Sequence, residues 1–124
     1  MRTQINCGNA PPAIGPYSHA IKANGMLFVS GQIGVDVKTG EIPEGVSGQA
    51  RCCMENVKSI IAEAGGTMDN VVRCSIFLTD MNDFAVVNEI YGSFFNEPYP
   101  ARATIGVARL PKDVKVEIDA IAVL

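Results

Sequence analysis

Residues 100–119 read Pro100-Ala101-Arg102-Ala103-Thr104-Ile105-Gly106-Val107-Ala108-Arg109-Leu110-Pro111-Lys112-Asp113-Val114-Lys115-Val116-Glu117-Ile118-Asp119, two extended runs that meet at a Pro-Lys-Asp turn. Successive strand residues point to opposite sides, so from Val114 onward Val114, Val116, Ile118, Ala120 and Ala122 share one face, which is wholly apolar. The other face carries Lys115, Glu117, Asp119, Ile121 and Val123; it begins polar and ends apolar, and so is not a plain solvated surface. In the run Ala101 to Ala108, only Arg102 and Thr104 have polar side chains to offer water. Arg102 and Glu117, each set on a face that is otherwise small or apolar, are the leading candidates for function.

Working back toward the N-terminus, Pro98-Tyr99-Pro100 forces an extended entry into these strands. Asp80-Met81-Asn82-Asp83 supplies capping side chains for a helix expected to run to about Phe95, with Phe84, Val87, Tyr91 and Phe94 on its buried stripe and Asn88 at the edge of that stripe. Val71 to Thr79 alternates as a strand, with Val72, Cys74, Ile76 and Leu78 on one face. Val46, Ala50, Cys53, Val57, Ile60, Ile61 and Ala64 recur at helical spacing and stop at Gly65-Gly66, which can take the left-handed conformation of a helix C-cap. Asn24-Gly25 signals a two-residue hairpin between Ser18–Ala23 and Met26–Ile33, where Gly31 marks a bulge or a close approach by a ligand or another backbone. Thr3–Cys7 can form a short strand, and the Pro- and Gly-rich residues 8–16 form a loop that delivers Tyr17, Ser18 and His19 to the next strand.

The order strand, strand, strand, helix, strand, helix, strand, strand defines an α+β domain spanning residues 1–124. Two helices can cover one face of such a sheet; several strands are apolar on both faces, and with no third helix the expected cover for the second is another copy of the chain. The chain is long enough to bury a core without disulfides or metal, and 48% apolar with 19% charged residues fits a compact soluble protein. A net charge of -3, with basic residues scattered singly, gives no general attraction to phosphate backbones and disfavours nucleic acid as a partner. Met1–Asn6 lacks the apolar stretch of a signal peptide and no run reaches the length of a membrane span, so a cytoplasmic location without a membrane partner is expected. Cys7, Cys52, Cys53 and Cys74 form no Cys-x-x-Cys pair and His19 is the only histidine; no metal site and no cofactor is expected, and the thiols read as reduced and mostly buried.

Taken together, Ile14-Gly15-Pro16-Tyr17, Ser30-Gly31-Gln32, Asn82-Asp83-Phe84, Asn88, Pro100-Ala101-Arg102 and Val107 to Pro111 through Glu117-Ile118 resemble the RidA family, also called YjgF, over nearly the whole chain. The resemblance implies a chorismate-mutase-like mixed sheet with two helices on one face, packed as a homotrimeric barrel with ligand clefts between subunits. It further implies hydrolysis of reactive enamines and imines, above all 2-aminoacrylate and its imine tautomer, to a 2-keto acid and ammonia. Similar proteins also carry the older names translation initiation inhibitor and endoribonuclease. Carried over, the resemblance has Arg102 hold the substrate carboxylate, Glu117 position the water, and Tyr17, Ser30, Gly31 and Asn88 line the cleft. Thr104 stands where many members have cysteine; the change is mild if that position acts through its backbone and alters activity or substrate range if the thiol is used.

The residue chemistry fits these roles and also admits plainer ones. A guanidinium can make two parallel hydrogen bonds to a carboxylate, as a small imino acid requires, while the structural alternative pairs Arg102 with Asp119 or Glu117. One carboxyl group can deliver water to an imine carbon and a proton to the departing nitrogen, while Glu117 could equally be a solvated strand-face residue. Tyr17 could bond substrate or water or simply edge the core, Ser30 could be a turn residue, and Asn88 could be surface. His19 is expected at a strand surface, Cys53 in the core and Cys52 beside it. Two functions of different class follow: a trimeric imine deaminase, or a regulatory ligand- or protein-binding trimer without turnover, with ribonuclease or translation inhibitor as the third.

Overall fold

Asn24 and Gly25 both adopt positive φ (52° and 74°), the backbone that a two-residue turn needs to match the twist of its flanking strands. That turn joins β2 (Ala20–Ala23) to β3 (Met26–Ile33) with Ala23 opposite Met26. The computed structural model describes residues 1–124. Its other elements are β1 (Thr3–Ile5), α1 (Val46–Glu63), β4 (Val71–Leu78), α2 (Phe84–Gly92), β5 (Ala101–Gly106) and β6 (Val116–Val123).

The strands form one six-stranded mixed sheet in the order β1-β2-β3-β6-β4-β5. β5 runs parallel to β4, and every other pairing is antiparallel. Hence β3-α1-β4 and β4-α2-β5 are two parallel crossovers that step the same way across the sheet. Crossovers of one hand put their helices on one face. The last strand then inserts between β3 and β4, so β5 and β6 adjoin in sequence without pairing.

The apolar stripe of α1 buries Ala50, Cys53, Met54, Val57, Ile60 and Ile61 against Leu27, Val29, Ile76, Leu78, Val116 and Ile118. The helix ends as its glycines predict. Gly65, at φ 90°, donates to Ala62 O and Gly66 donates to Ile61 O, both at 3.0 Å, which satisfies two terminal carbonyls. Two buried polar residues that the periodicity passes over sit on the same helix: Gln49 Nε2 donates to Pro43 O at 2.8 Å while its Oε1 accepts from Lys115 N at 2.8 Å, and Asn56 Nδ2 donates to Val35 O at 3.0 Å. They fasten the loop after β3 to the helix.

Three sequence expectations shift. Val71 and Arg73 are paired across a one-residue irregularity, so Val71 faces the core with Cys74, Ile76 and Leu78 while Val72 is turned out to solvent. The bulge exchanges the two valines relative to a regular strand. α2 stops at Gly92 rather than near Phe95; it buries Val87, Ile90 and Tyr91, leaving Phe84 at the exposed start of the helix and Phe94 half-buried beyond it. β5 ends at Gly106 and β6 opens at Val116, each shorter than its alternating pattern, because Lys112 and Asp113 take positive φ and turn the chain away from the strand path.

The helices leave the second face of the sheet open. Phe28, Ile105 and Val123 are exposed there by 43%, 49% and 46%, and Ile21 and Ile121 are only half-buried. β5 is an edge strand with one side of its backbone unpaired. No helix is long and apolar enough to cross a membrane.

Candidate active site

Arg102 lies on β5 opposite Cys74, in a row that continues through Ala120 and Val29. Those three neighbours are buried, so Arg102 points to the helix-covered face at its outer edge. There α2 makes a seat for it. The guanidinium carbon stands 5.1 Å from the centroid of the Tyr91 ring and 5.6 Å from that of Phe84, and Nη1 donates to Asn88 Oδ1 at 2.6 Å. Phe84, Asn88 and Tyr91 are spaced by four and three residues, which stacks them on one helix face. Two aromatic rings and one amide thus orient the group by cation–π attraction and a hydrogen bond while most of its donors remain free. It forms no ion pair with Asp119 or Glu117; the one salt bridge of the chain is Arg109–Asp113, fully at the surface. Asn88, Tyr91, Tyr99, Pro100 and Arg102 border an open cavity of about 610 Å³.

Thr104 follows two residues along the same face, opposite Ile76, and its hydroxyl is closed off from solvent without a hydrogen-bond partner. The Tyr91 hydroxyl is likewise closed off from solvent, with the Cys74 thiol as its polar neighbour. Burial pushes the nearby Cys74 thiol up to about 11, with the facing Tyr91 acting against it. Burial also raises Tyr91, and the neighbouring Cys74 adds to the effect. These groups are neutral at physiological pH. An unsatisfied buried hydroxyl costs roughly 1–3 kcal/mol, so Thr104→Val is expected to raise Tm by about 3–6 °C for each kcal/mol recovered, with turnover unchanged, as read by thermal melts and steady-state rates. A loss of turnover would mean that the hydroxyl reaches the substrate.

Glu117 belongs to a different neighbourhood. It is flanked by Ile33 and Phe77 on the open face of the sheet, since its own neighbours Val116 and Ile118 are the ones that are fully buried. β3 carries one extra residue between Val29 and Gln32 relative to β6, so of the two readings of Gly31, a bulge or a close approach, the bulge is present. The close approach is made by a side chain rather than by a backbone: a Cβ on Gly31 would collide with Glu117 Oε2. Burial first, and then the negative charge of Asp119, raises Glu117 above the ordinary carboxylate range. Asp119 is itself held through Oδ1, which accepts from Ser75 N at 3.1 Å.

A cleft of about 670 Å³ opens beside this carboxylate, lined by Pro11, Pro12, Ile14, Tyr17, Gly31 and Glu117 among others. Tyr17 is half-exposed on its wall. Ser30 braces that wall: its hydroxyl donates to Ser18 O at 2.6 Å and its amide to His19 O at 3.0 Å. His19 is not the surface residue expected from sequence. It is only 6% exposed, its Nδ1 accepts from Cys7 N at 2.9 Å, and its Nε2 is 2.7 Å from Pro11 O.

The structure therefore divides the candidate residues into two sets. Tyr17, Gly31 and Glu117, with Ser30 behind them, meet at one cleft; Arg102, Asn88 and Thr104 sit at another place. Arg102 is level with Cys74 of β4 and Glu117 with Phe77, two strands away and on the opposite face, so their Cα atoms are about 14 Å apart. Within one chain they do not converge on a single small molecule. Sequence reading missed Phe84 and Tyr91 as the seat of the guanidinium, although their spacing with Asn88 carried the signal.

A family profile described as "Endoribonuclease L-PSP" matches residues 7–124. The 2-iminobutanoate/2-iminopropanoate deaminase of Salmonella typhimurium is 51% identical over 126 residues, covering 99% of this chain and 98% of its own. A RutC family protein of Pyrococcus horikoshii is 50% identical over 123 residues, covering 98% of both chains. Among solved structures, Escherichia coli TdcF with bound serine superposes with a TM-score of 0.94 at 50% identity over 98% of both chains, and the Escherichia coli YjgF gene product with a TM-score of 0.94 at 49% identity over the same shares.

Proposed function

The chain belongs to the endoribonuclease L-PSP family, the RidA/YjgF family of the sequence resemblance, and we propose that it is a hydrolytic deaminase of small enamine and imine acids such as 2-aminoacrylate and 2-iminopropanoate. The observation that carries this reading is an unpaired arginine, oriented with most of its donors free, in a chain that also aims an elevated carboxyl group into a cleft. The name of the Salmonella relative gives the reaction, and the serine held by TdcF is a ligand of matching size and charge.

The roles follow from the chemistry. Arg102 takes the substrate carboxylate in paired hydrogen bonds, which leaves the imine carbon free for attack. Glu117 accepts a proton from a water as its oxygen bonds to that carbon. The same carboxyl group gives that proton to the nitrogen of the resulting carbinolamine and, as the C–N bond breaks, takes up the remaining hydroxyl proton while the C=O bond forms, releasing a 2-keto acid and ammonia. Imines hydrolyse readily, so positioning and one proton relay suffice. Tyr17 and the backbone around Gly31 border the reacting centre, and Asn88 keeps the guanidinium aimed.

Arg102 and Glu117 stand apart in one chain, and we propose that a complete site takes Arg102 from one copy and Glu117 from its neighbour in a homotrimer. The open apolar face and the unpaired edge of β5 support such an assembly. The free thiols fit a reducing, cytoplasmic setting. The test is release of ammonia and keto acid from freshly generated 2-aminoacrylate, followed by a mixing experiment. Arg102→Ala and Glu117→Ala, each inactive alone, should recover about one quarter of native activity when denatured and refolded together at equal amounts, the random expectation for sites that draw one residue from each of two copies. No recovery would return both residues to one chain. Saturable binding without ammonia release would move the reading to a ligand-binding trimer.

A further inference from the structure

The loop of residues 8–17 forms one wall of the Glu117 cleft through Pro11, Pro12, Ile14 and Tyr17. Its own backbone hydrogen bonds are short-range: Ala10 N to Cys7 O at 3.4 Å and Tyr17 N to Gly15 O at 2.9 Å. Ser18 and His19, at its C-terminal end, are fixed to β3 through Ser30. Across the stretch from Cys7 to Pro11, the hydrogen bonds that reach back to the body of the protein are the two made by one imidazole.

Those two bonds determine the state of the ring. Cys7 N–H can only donate, so Nδ1 must present its lone pair; Pro11 O can only accept, so Nε2 must carry the proton. His19 is thereby held as the neutral Nε2–H tautomer, with both nitrogens occupied and the ring buried. It has no free valence for catalysis, metal or substrate. What it does is join both ends of the segment Cys7–Pro11 to the start of β2, and Pro11 is itself a residue of the cleft wall.

We infer that His19 is a positioning residue for the Glu117 cleft, a neutral two-point clamp that seats the Tyr17-bearing wall against the catalytic carboxylate. This rests on the deaminase reading for its kinetic consequence but not for its structural one. A glutamine side chain presents one acceptor and one donor at nearly the spacing of the two ring nitrogens, so His19→Gln keeps a group for each of the two partners; alanine keeps neither.

The test compares the native chain with His19→Ala and His19→Gln by steady-state imine hydrolysis and by amide hydrogen exchange. Alanine should lower kcat/KM about tenfold, mainly through KM, and speed exchange at Cys7 and through residues 8–17, while the amides of β4 and β6 keep their protection. Glutamine should restore both readouts to within about twofold. The inference is overturned if alanine leaves loop exchange unchanged, if alanine opens β4 and β6 along with the loop, or if glutamine protects the loop without recovering KM. Should the native chain show no turnover, the deaminase reading fails, and exchange confined to the loop in alanine but not in glutamine still supports the clamp.

Discussion

Replacing Arg102 by alanine is expected to lower kcat/KM for 2-iminopropanoate by about 10²–10⁴-fold, because it removes two charge-assisted hydrogen bonds of roughly 1.5–3 kcal/mol each from substrate and transition state alike. Stability should change little. The side chain is half-exposed, and its contacts with Asn88, Phe84 and Tyr91 are a single hydrogen bond and two cation–π approaches. Lysine is not a substitute at this position: its ammonium is a point charge without the planar fork, and Arg102→Lys should stay at least about tenfold below the native chain. Steady-state kinetics with a thermal melt of each variant decide the matter. A native-like rate for the alanine variant would remove Arg102 from the reaction and leave the α2 seat as a device for holding a strand edge.

Glu117→Gln should reduce kcat by about 10²–10⁴-fold with a much smaller change in KM, since glutamine keeps the shape and loses the proton relay. The same substitution should raise stability at neutral pH. Burial and Asp119 both disfavour the charged form, which puts the folded-state pKa above the unfolded one. Glu117 therefore favours folding most below its unfolded pKa, and that contribution is lost as pH rises through the folded value. A permanently neutral isostere removes the loss. In the rate profile, the acid limb of kcat/KM reports the carboxylate needed to take a proton from water, and it should lie above the ordinary glutamate range. Asp119→Asn keeps an oxygen for the Ser75 amide, removes one of the two causes, and should move that limb to lower pH. A limb that stays in place would show that burial alone sets it.

Opposed gains in stability and losses in rate at one residue are the expected mark of a group kept for chemistry. By that measure Thr104 and Glu117 are expected to differ. Both carry unfavourable burial, yet only the carboxyl group faces an open cleft.

Much of the fold was legible because local rules act on adjacent residues. Asn24-Gly25 specifies its turn, Gly65-Gly66 its helix cap, and the alternation from Val114 to Ala122 its buried face, whatever the rest of the chain does. Gly31 announced a bulge for the same reason. Where the sequence reading failed, a single residue shifted a period or a distant partner intervened. One extra residue turned Val72 outward, and α2 ended a turn early. His19 has no local signature, because its partners lie in a loop that only the folded chain brings around the ring.

Residue type and spacing determined by themselves an α+β chain, its two helices, and the identity of Arg102 and Glu117 as charges on faces that do not call for them. The tertiary structure alone decided how those charges are disposed. β6 enters the sheet between β3 and β4 because its wholly apolar face needs α1 above it and strand partners on both sides, and that insertion leaves β5 as the edge. Pairing register is a long-range property that no run of neighbouring residues encodes. It sets Arg102 and Glu117 on opposite faces of one sheet, and so separates two candidates that a single stretch of sequence places close together.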